Sequence, residues 1–342
     1  MRRIYLTIDI ECHDIKKRNL YIDGSTQDGG CGLEHILKLA KGLNIPVNCF
    51  LDIPEAKVYG EKYIQDIISL IESYNQHVYL HLHPDYITGN HDKSFLWQYD
   101  RDSKKEIVEE GCNLYQKYTG HEVDYFRVGR YGADPEMYEA LTETVGSVCD
   151  LSYCTNCNKM CHLQYDDVKT NNKVTSYKGH TIFPNTRYIG LKVGRRKVFI
   201  NLDASDSTYN EFTRLIRTTK LNQLVFTMHS WNFIKKYFFL AHYLSLDKYE
   251  EKKFKKMVDF ARKNGFEFCD LRNTPPCVQK QEDDEIIDLC KSYRDFPSMI
   301  MNNFTRYRRI GRLNKKYFLF YAACYLICLV ILCILLWLLL RG

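Results

Sequence analysis

Ile4, Leu6, Ile8 and Ile10 alternate with Tyr5, Thr7, Asp9 and Glu11, the period of two that a strand imposes. From residue 33 the period lengthens. Leu33, Ile36, Leu37, Ala40 and Leu43 make one stripe of a helix that Asn44 ends, since positions three and four apart share a helix face. An apolar run at 46–53 predicts the next strand, and the alternation of the two element types continues. Helices are predicted over 61–76, 103–120, 134–146, 208–220 and 248–264, with strands over 77–84, 123–129, 147–153, 181–185, 197–203, 223–231 and 266–271. Asp134 followed by Pro135 is a helix start, a capping carboxylate before a residue that needs no N–H partner. Nearly continuous apolar strands separated by helices predict a parallel α/β sheet or barrel wrapped by helices over residues 1–275. Beyond Pro275 and Pro276 the chain turns polar, and 276–301 reads as an amphipathic linker, helical over 280–296.

The pattern breaks again at 317–340, which holds no charge and no proline. At about 1.5 Å per residue this stretch exceeds the roughly 30 Å hydrocarbon core of a bilayer, so a transmembrane helix is expected. Residues 302–316 carry six Arg or Lys and no acid, which accounts for the whole net charge of +6. Basic charge beside an apolar segment suits an anionic membrane face better than nucleic acid. Arg2 and Arg3 lead straight into a strand and not into a signal-type apolar run. A tail-anchored protein with a cytoplasmic domain is the expected topology. The 14 cysteines lack the regular spacing of a small disulfide-framed secreted domain, and three of them lie within the apolar segment.

Chemistry-bearing residues fall at the ends of the predicted strands: Asp9 and Glu11, His81 and His83, Arg127, Asp150, and His229. In barrels of parallel strands that end carries the active site. Asp9 and Glu11 share one side of their strand, with His13 behind them, and paired carboxylates repel unless a cation or a proton lies between them. His81 and His83 face the same way, whereas His77 would stand about 13 Å from His81. Pro84 ends that strand and lets the chain curl back, so Asp85 stays an alternative to His83. Two imidazoles and a carboxylate, with further positions left to water, outline a hydrolytic metal site. Arg127 lies inside an otherwise apolar strand, which argues against a surface role.

Two further groups stand out. Cys154, Cys157, Cys161 and His162 supply ligand types for a structural zinc, but without its two-plus-two spacing; reduced thiols in a loop are the favoured reading. Tyr86, Tyr131 and Trp231 lie near the candidate site and suit either stacking on a sugar ring or packing at the rim.

These motifs, in this order, resemble the NodB-homology polysaccharide deacetylases, metal-dependent carbohydrate esterases. The likeness runs over roughly residues 1–272: "LTIDIE" (6–11), "ILKLAKGLNIPVNCFLDI" (36–53), "HLHPD" (81–85), "FRVGRYGADPEMYEALTETVG" (126–146) followed by "CDLSY", and "LVFTMHSW" (224–231). The resemblance implies a distorted, incomplete (β/α) barrel, here with one C-terminal transmembrane helix added. It makes Asp9 the general base, Glu11 and His81 metal ligands, and His83 or Asp85 the third. Arg127 becomes the partner that orients the base, His229 the general acid, and Asp150 the residue that orients His229. A divalent ion is implied, zinc first, with cobalt, manganese or nickel as alternatives. The implied reaction removes N-acetyl groups from an amino sugar of a membrane-associated glycan or lipid-linked precursor. Two positions depart from the family pattern: Ile10 follows Asp9 where many members carry a second aspartate, and the histidines form H-x-H instead of lying four apart. They keep open an inactive barrel that binds glycan or a partner protein. An O-ester or non-sugar amide hydrolase is the other alternative.

Overall fold

Alternation along the first strand gives the fold an inner and an outer face. In the computed structural model, which describes residues 1–12, 14–26, 29–193, 195–237, 240–291, 301, 302 and 305, nine strands share one sheet. The first half of the chain runs β1 (Arg2–Ile10), α1 (Leu33–Leu43), β2 (Asn48–Asp52), α2 (Glu61–Ser73), β3 (His77–Leu82), α3 (Arg101–Thr119), β4 (Tyr125–Val128), α4 (Pro135–Val145) and β5 (Cys149–Asp150). Then come β6 (Thr175–Tyr177), β7 (His180–Ile182), β8 (Arg187–Val193), β9 (Arg196–Asn201), α5 (Tyr209–Thr218) and β10 (Gln223–His229). Last are β11 (Ile234–Tyr237), β12 (Leu240–Leu246), α6 (Lys248–Lys263), β13 (Phe266–Phe268) and β14 (Ile287–Asp288). The sheet order is β10-β1-β2-β3-β4-β5-β7-β6, with β13 also paired to β1. Its pairings are parallel except β6 with β7.

Along one edge of β1 the partner changes, from β13 beside residues 2–4 to β2 beside residues 7–10. Asn48 fills the junction. Its side-chain N–H group donates to Leu6 O (3.0 Å) and Cys269 O (3.2 Å), and its Oδ1 accepts from Leu271 N (2.8 Å). One amide thus satisfies backbone groups that neither ladder reaches, as buried peptide groups require.

Tyr5, Phe50, Tyr79, Tyr125, Leu151, Phe183 and Val225 pack together on the inner face. Their neighbours in sequence, including Ile4, Leu6, Leu51, Leu80, Phe126 and Phe226, face outward and join the apolar stripes of the helices in a separate cluster. The curl toward β10 is completed by single bonds through an irregular segment, not by a ladder. Thr186 Oγ1 accepts from Val225 N (2.9 Å), Leu202 N donates to Thr186 O (2.7 Å), and Thr227 N donates to Leu202 O (2.9 Å). The result is a mixed α/β fold with a curled half-barrel sheet.

The structure departs from expectation at several places along the chain. Strands β6 and β8 and the hairpin β11–β12 are additional, whereas β9 answers the strand expected over 197–203, although its first residues, Arg196, Lys197 and Val198, are all exposed. Residues 281–291 do not continue a linker helix. One turn at Gln281–Asp283 is followed by β14, which pairs with β8. There the Asp284 carboxylate accepts from the backbone N–H groups of Asn171 (2.9 Å), Asn172 (2.9 Å) and Lys173 (3.2 Å), while Ile287 and Leu289 are buried. A helix would have turned Ile287 and Leu289, two residues apart, to opposite sides, whereas extended chain buries both on one. The expected transmembrane segment 317–340, and nearly all of 302–316, lie outside the described residues; among the described residues no helix is long and apolar enough to cross a membrane.

Candidate active site

Followed toward the C-terminal strand ends, each inner row exchanges its aromatic ring for polar groups. Tyr5 is succeeded by Thr7, Asp9 and Glu11; Phe50 by Asp52; Tyr79 by His81 and His83; Tyr125 by Arg127 and Gly129; Val225 by Thr227 and His229. Strand register brings the rows level, with Asp9 beside His229, Asp52 beside His81, and His81 beside Arg127. The period of two that buries an aromatic layer therefore also delivers a polar layer above it.

Arg127 is fully buried at the boundary between the layers. Its guanidinium lies 4.4 Å over the Phe50 ring, pairs through Nη1 with Asp9 Oδ1, and donates from Nη2 to Thr7 Oγ1 (3.1 Å) and from Nε to Leu151 O (3.3 Å). A planar fork held at three nitrogens fixes the direction of the Asp9 carboxylate.

Next to this pair, Glu11, His81 and His83 each offer one ligand atom, and these atoms lie within 4.8 Å of one another. His83 Nε2 is 2.7 Å and His81 Nε2 3.7 Å from Glu11 Oε2. His81 Nδ1 is bonded to Arg127 O at 3.0 Å, so its Nε2 is the nitrogen turned to the carboxylate. A Cβ on Gly129 would come within 2.5–2.6 Å of three atoms of the His83 ring, so only glycine leaves room for that imidazole. Three buried donors of N and O type suit a divalent transition-metal ion.

The surroundings are strongly acidic. Asp52 Oδ1 accepts from His83 N (3.3 Å), and Glu55 accepts from Cys12 N and from Tyr63 Oη (2.7 Å). Burial, reinforced by Glu55 and Glu11, pushes Asp52 well above the usual carboxylate range; burial likewise brings Glu55 up to about 8, against the bonds from Cys12 and Tyr63. Burial works against a charged His83, yet the carboxylates of Asp52 and Glu11 outweigh it and raise the imidazole well above its ordinary value. Asp52 and Glu55 were missed in the sequence, although the position of Asp52 at the end of an apolar strand is the same signal that marked Asp9. Gly129 and the two left-handed residues after it, Arg130 (φ 56°) and Tyr131 (φ 57°), carry no such signal. Non-glycine residues adopt that conformation at a cost that tertiary contacts must offset.

Asp85 stands outside the Glu11–His81–His83 group. Its Oδ1 stands 3.7 Å from His83 Nδ1 and its Oδ2 3.3 Å from His91 Nδ1, behind the ring and away from Glu11. His229 lies at the mouth, with Nε2 4.0 Å from Glu11 Oε1 and its ring stacked on Trp231 (4.5 Å between centroids). The expected contact from Asp150 to His229 is not made. Leu151 takes the inner face of β5, so Asp150 points outward, where it accepts from Tyr138 Oη (2.7 Å), from Ser152 N (3.1 Å) and from Ser152 Oγ. A shift of one residue sends a side chain to the other face. Burial brings Asp150 up to about 6, against those bonds.

Cys154, Cys157, Cys161 and His162 do not converge as zinc ligands; among the described residues Glu11, His81 and His83 form the one such group. The His162 ring is stacked on Trp97 (3.9 Å) instead. Tyr86 is buried, with its hydroxyl toward Tyr59 Oη (3.2 Å) and Cys12 O (3.3 Å), and so belongs to the rim packing. Tyr131 and Trp231 remain partly exposed. His13 lies outside the described residues.

No protein-family model and no curated protein matches the chain. Solved structures do. A candidate polysaccharide deacetylase from Mycobacterium smegmatis is 13% identical over 81% of this chain and 93% of its own, with a TM-score of 0.47. A family 4 carbohydrate esterase from Streptomyces lividans is 8% identical over 84% and 97%, at 0.41. A pseudoenzyme of the same esterase family from Bacillus anthracis is 11% identical over 78% of this chain and 63% of its own, also at 0.41. The structural neighbours are carbohydrate esterases and pseudoenzymes of that family. Likeness at these scores leaves the chemistry to be read from this chain's own residues.

Proposed function

We propose that the chain is a metal-dependent hydrolase that removes N-acetyl groups from an amino sugar. The observation that carries this reading is a buried Glu11–His81–His83 donor set beside a carboxylate, Asp9, held in direction by Arg127. Glu11, His81 and His83 would hold a divalent ion, which, when bound, supplies Lewis acidity toward the acetamide carbonyl and lowers the pKa of nearby water. Arg127 holds the Asp9 carboxylate in direction, and Asp9 takes the proton of the attacking water. His229, at the solvent-facing side and steadied by Trp231, returns a proton to the departing amine nitrogen. The apolar segment 317–340 and its basic flank support a position against the cytoplasmic face of a membrane, where the substrate would be a lipid-linked or membrane-associated glycan.

The test measures divalent-metal content together with acetate release from N-acetylhexosamine oligomers and lipid-linked sugars. Asp9→Asn should keep its metal and lose about 10³-fold in rate, within the range for a general base. Release from O-acetyl esters alone would change the bond attacked. Absence of both a stoichiometric ion and acetate release in the unaltered protein would leave a binding scaffold.

A further inference from the structure

The loop after β5 holds a cluster of thiols that the hydrolase reading does not use. Cys154 and Cys161 are buried and Cys157 is half-buried. Residues 155 and 156 form a turn, with Asn156 in the left-handed region (φ 54°). A tight turn brings its first and fourth Cα atoms within about 7 Å, and disulfides span roughly 4.4–6.8 Å between Cα atoms. The Cys154 thiol is buried, with its sulfur 3.8 Å from Asn201 Oδ1. Cys157 O accepts from Met160 N (2.8 Å) and Cys161 N (2.9 Å), which pins the backbone there and leaves the side chain to react. Cys161 is turned away, with its sulfur toward Leu163 O at 3.7 Å.

Arg187 lies alongside. Its Nη1 donates to Thr155 O and its Nη2 to Phe199 O (3.0 Å), while its Nε is buried without an acceptor. The neighbouring Cys154 thiol, and after it the charge of Arg187, outweigh burial and bring the Cys157 thiol down to about 6. Reactive thiols occupy such partly exposed, electropositive positions, whereas buried structural thiols stay protonated and inert.

We propose that Cys154 and Cys157 form a reversible disulfide, with Cys157 the nucleophile toward hydroperoxides and Cys154 the resolving thiol. The Cys157 thiolate attacks one peroxide oxygen and breaks the O–O bond. Hydroxide leaves and takes up a proton as water, and Cys157 becomes a sulfenic acid. Cys154, giving up its proton, then attacks the Cys157 sulfur, and the sulfenic oxygen departs as a second water. Two thiols are oxidised and one peroxide is reduced; a small dithiol restores both thiols. This proposal is independent of the hydrolase reading.

The experiment treats the reduced full-length protein with one equivalent of hydrogen peroxide, alkylates the remaining thiols and maps the peptides by mass spectrometry. A Cys154–Cys157 bridge is expected before any oxidation of Cys277, the exposed thiol among the described residues, and dithiothreitol should reverse it. Cys161→Ser should leave the bridge intact. Cys154→Ser should trap Cys157 as a sulfenic acid that dimedone captures. Iodoacetamide labelling of Cys157 should level off above about pH 6. Prior oxidation of Cys277, a bridge to Cys161, or labelling of Cys157 that keeps rising to pH 9 would overturn the proposal.

Discussion

Gly129 ends a strand whose third residue, Arg127, pairs with Asp9, and its missing side chain is what admits the His83 ring. Gly129→Ala would force that ring aside. Metal titration of the variant should show affinity reduced by about 10–100-fold, the usual cost of disturbing what orients a ligand, with its far-ultraviolet circular dichroism unchanged. Asp150 makes a different kind of statement. Its folded value of about 6 lies above the ordinary 3.8, so the folded chain holds the proton more tightly than the unfolded one. The stabilisation is complete below about pH 4 and lost as pH rises through 6, a change on the order of 3 kcal/mol. Denaturant titrations at pH 4 and pH 7 should show the unaltered protein losing roughly that much relative to Asp150→Asn. Both effects escape a sequence reading. The Asp150 misassignment shows why: a strand of two paired residues does not announce which of its neighbours turns inward.

At the scale of elements, long amphipathic helices and central strands were legible because burial on one side or both leaves a strong period. Helix α4 begins where Asp134 caps it, its carboxylate accepting from Met137 N at 3.0 Å, and α1 ends at Asn44 in the left-handed conformation. The segment 281–291 was misread because its acids looked like the polar face of a helix. Asp284 is instead a buttress that closes a loop some 110 residues away, accepting from three consecutive backbone N–H groups. Asp284→Ala should cost about 2–4 kcal/mol in chemical denaturation, since it strands donors of a charged hydrogen-bond set. Metal stoichiometry should be unaffected, because neither Asp284 nor residues 171–173 belong to the Glu11–His81–His83 group.

Over the whole molecule, one mostly parallel sheet stacks an aromatic layer below a polar one. Tyr5, Phe50, Tyr79 and Tyr125 fill the lower interior, and Arg127 covers Phe50 while reaching up to Asp9. The candidate site thereby lies at the upper end, where His229 retains about a third of its side-chain exposure (32%). The buried Arg127–Asp9 pair is better understood as a device for orientation than as a source of stability, since taking both charges out of water offsets most of their attraction.

By itself the sequence determined the alternation of strand and helix, the strand-end positions of Asp9, Glu11, His81, Arg127 and His229, and the charge-free stretch near its end. Those follow from periodicity and composition, which are local properties. Only tertiary structure decided that His83 and not Asp85 faces Glu11, that Asp150 serves Tyr138, and that Asp52 and Glu55 crowd the donor set. Each of these depends on how separate strands are aligned beside one another, and alignment is set by packing between residues far apart in the chain.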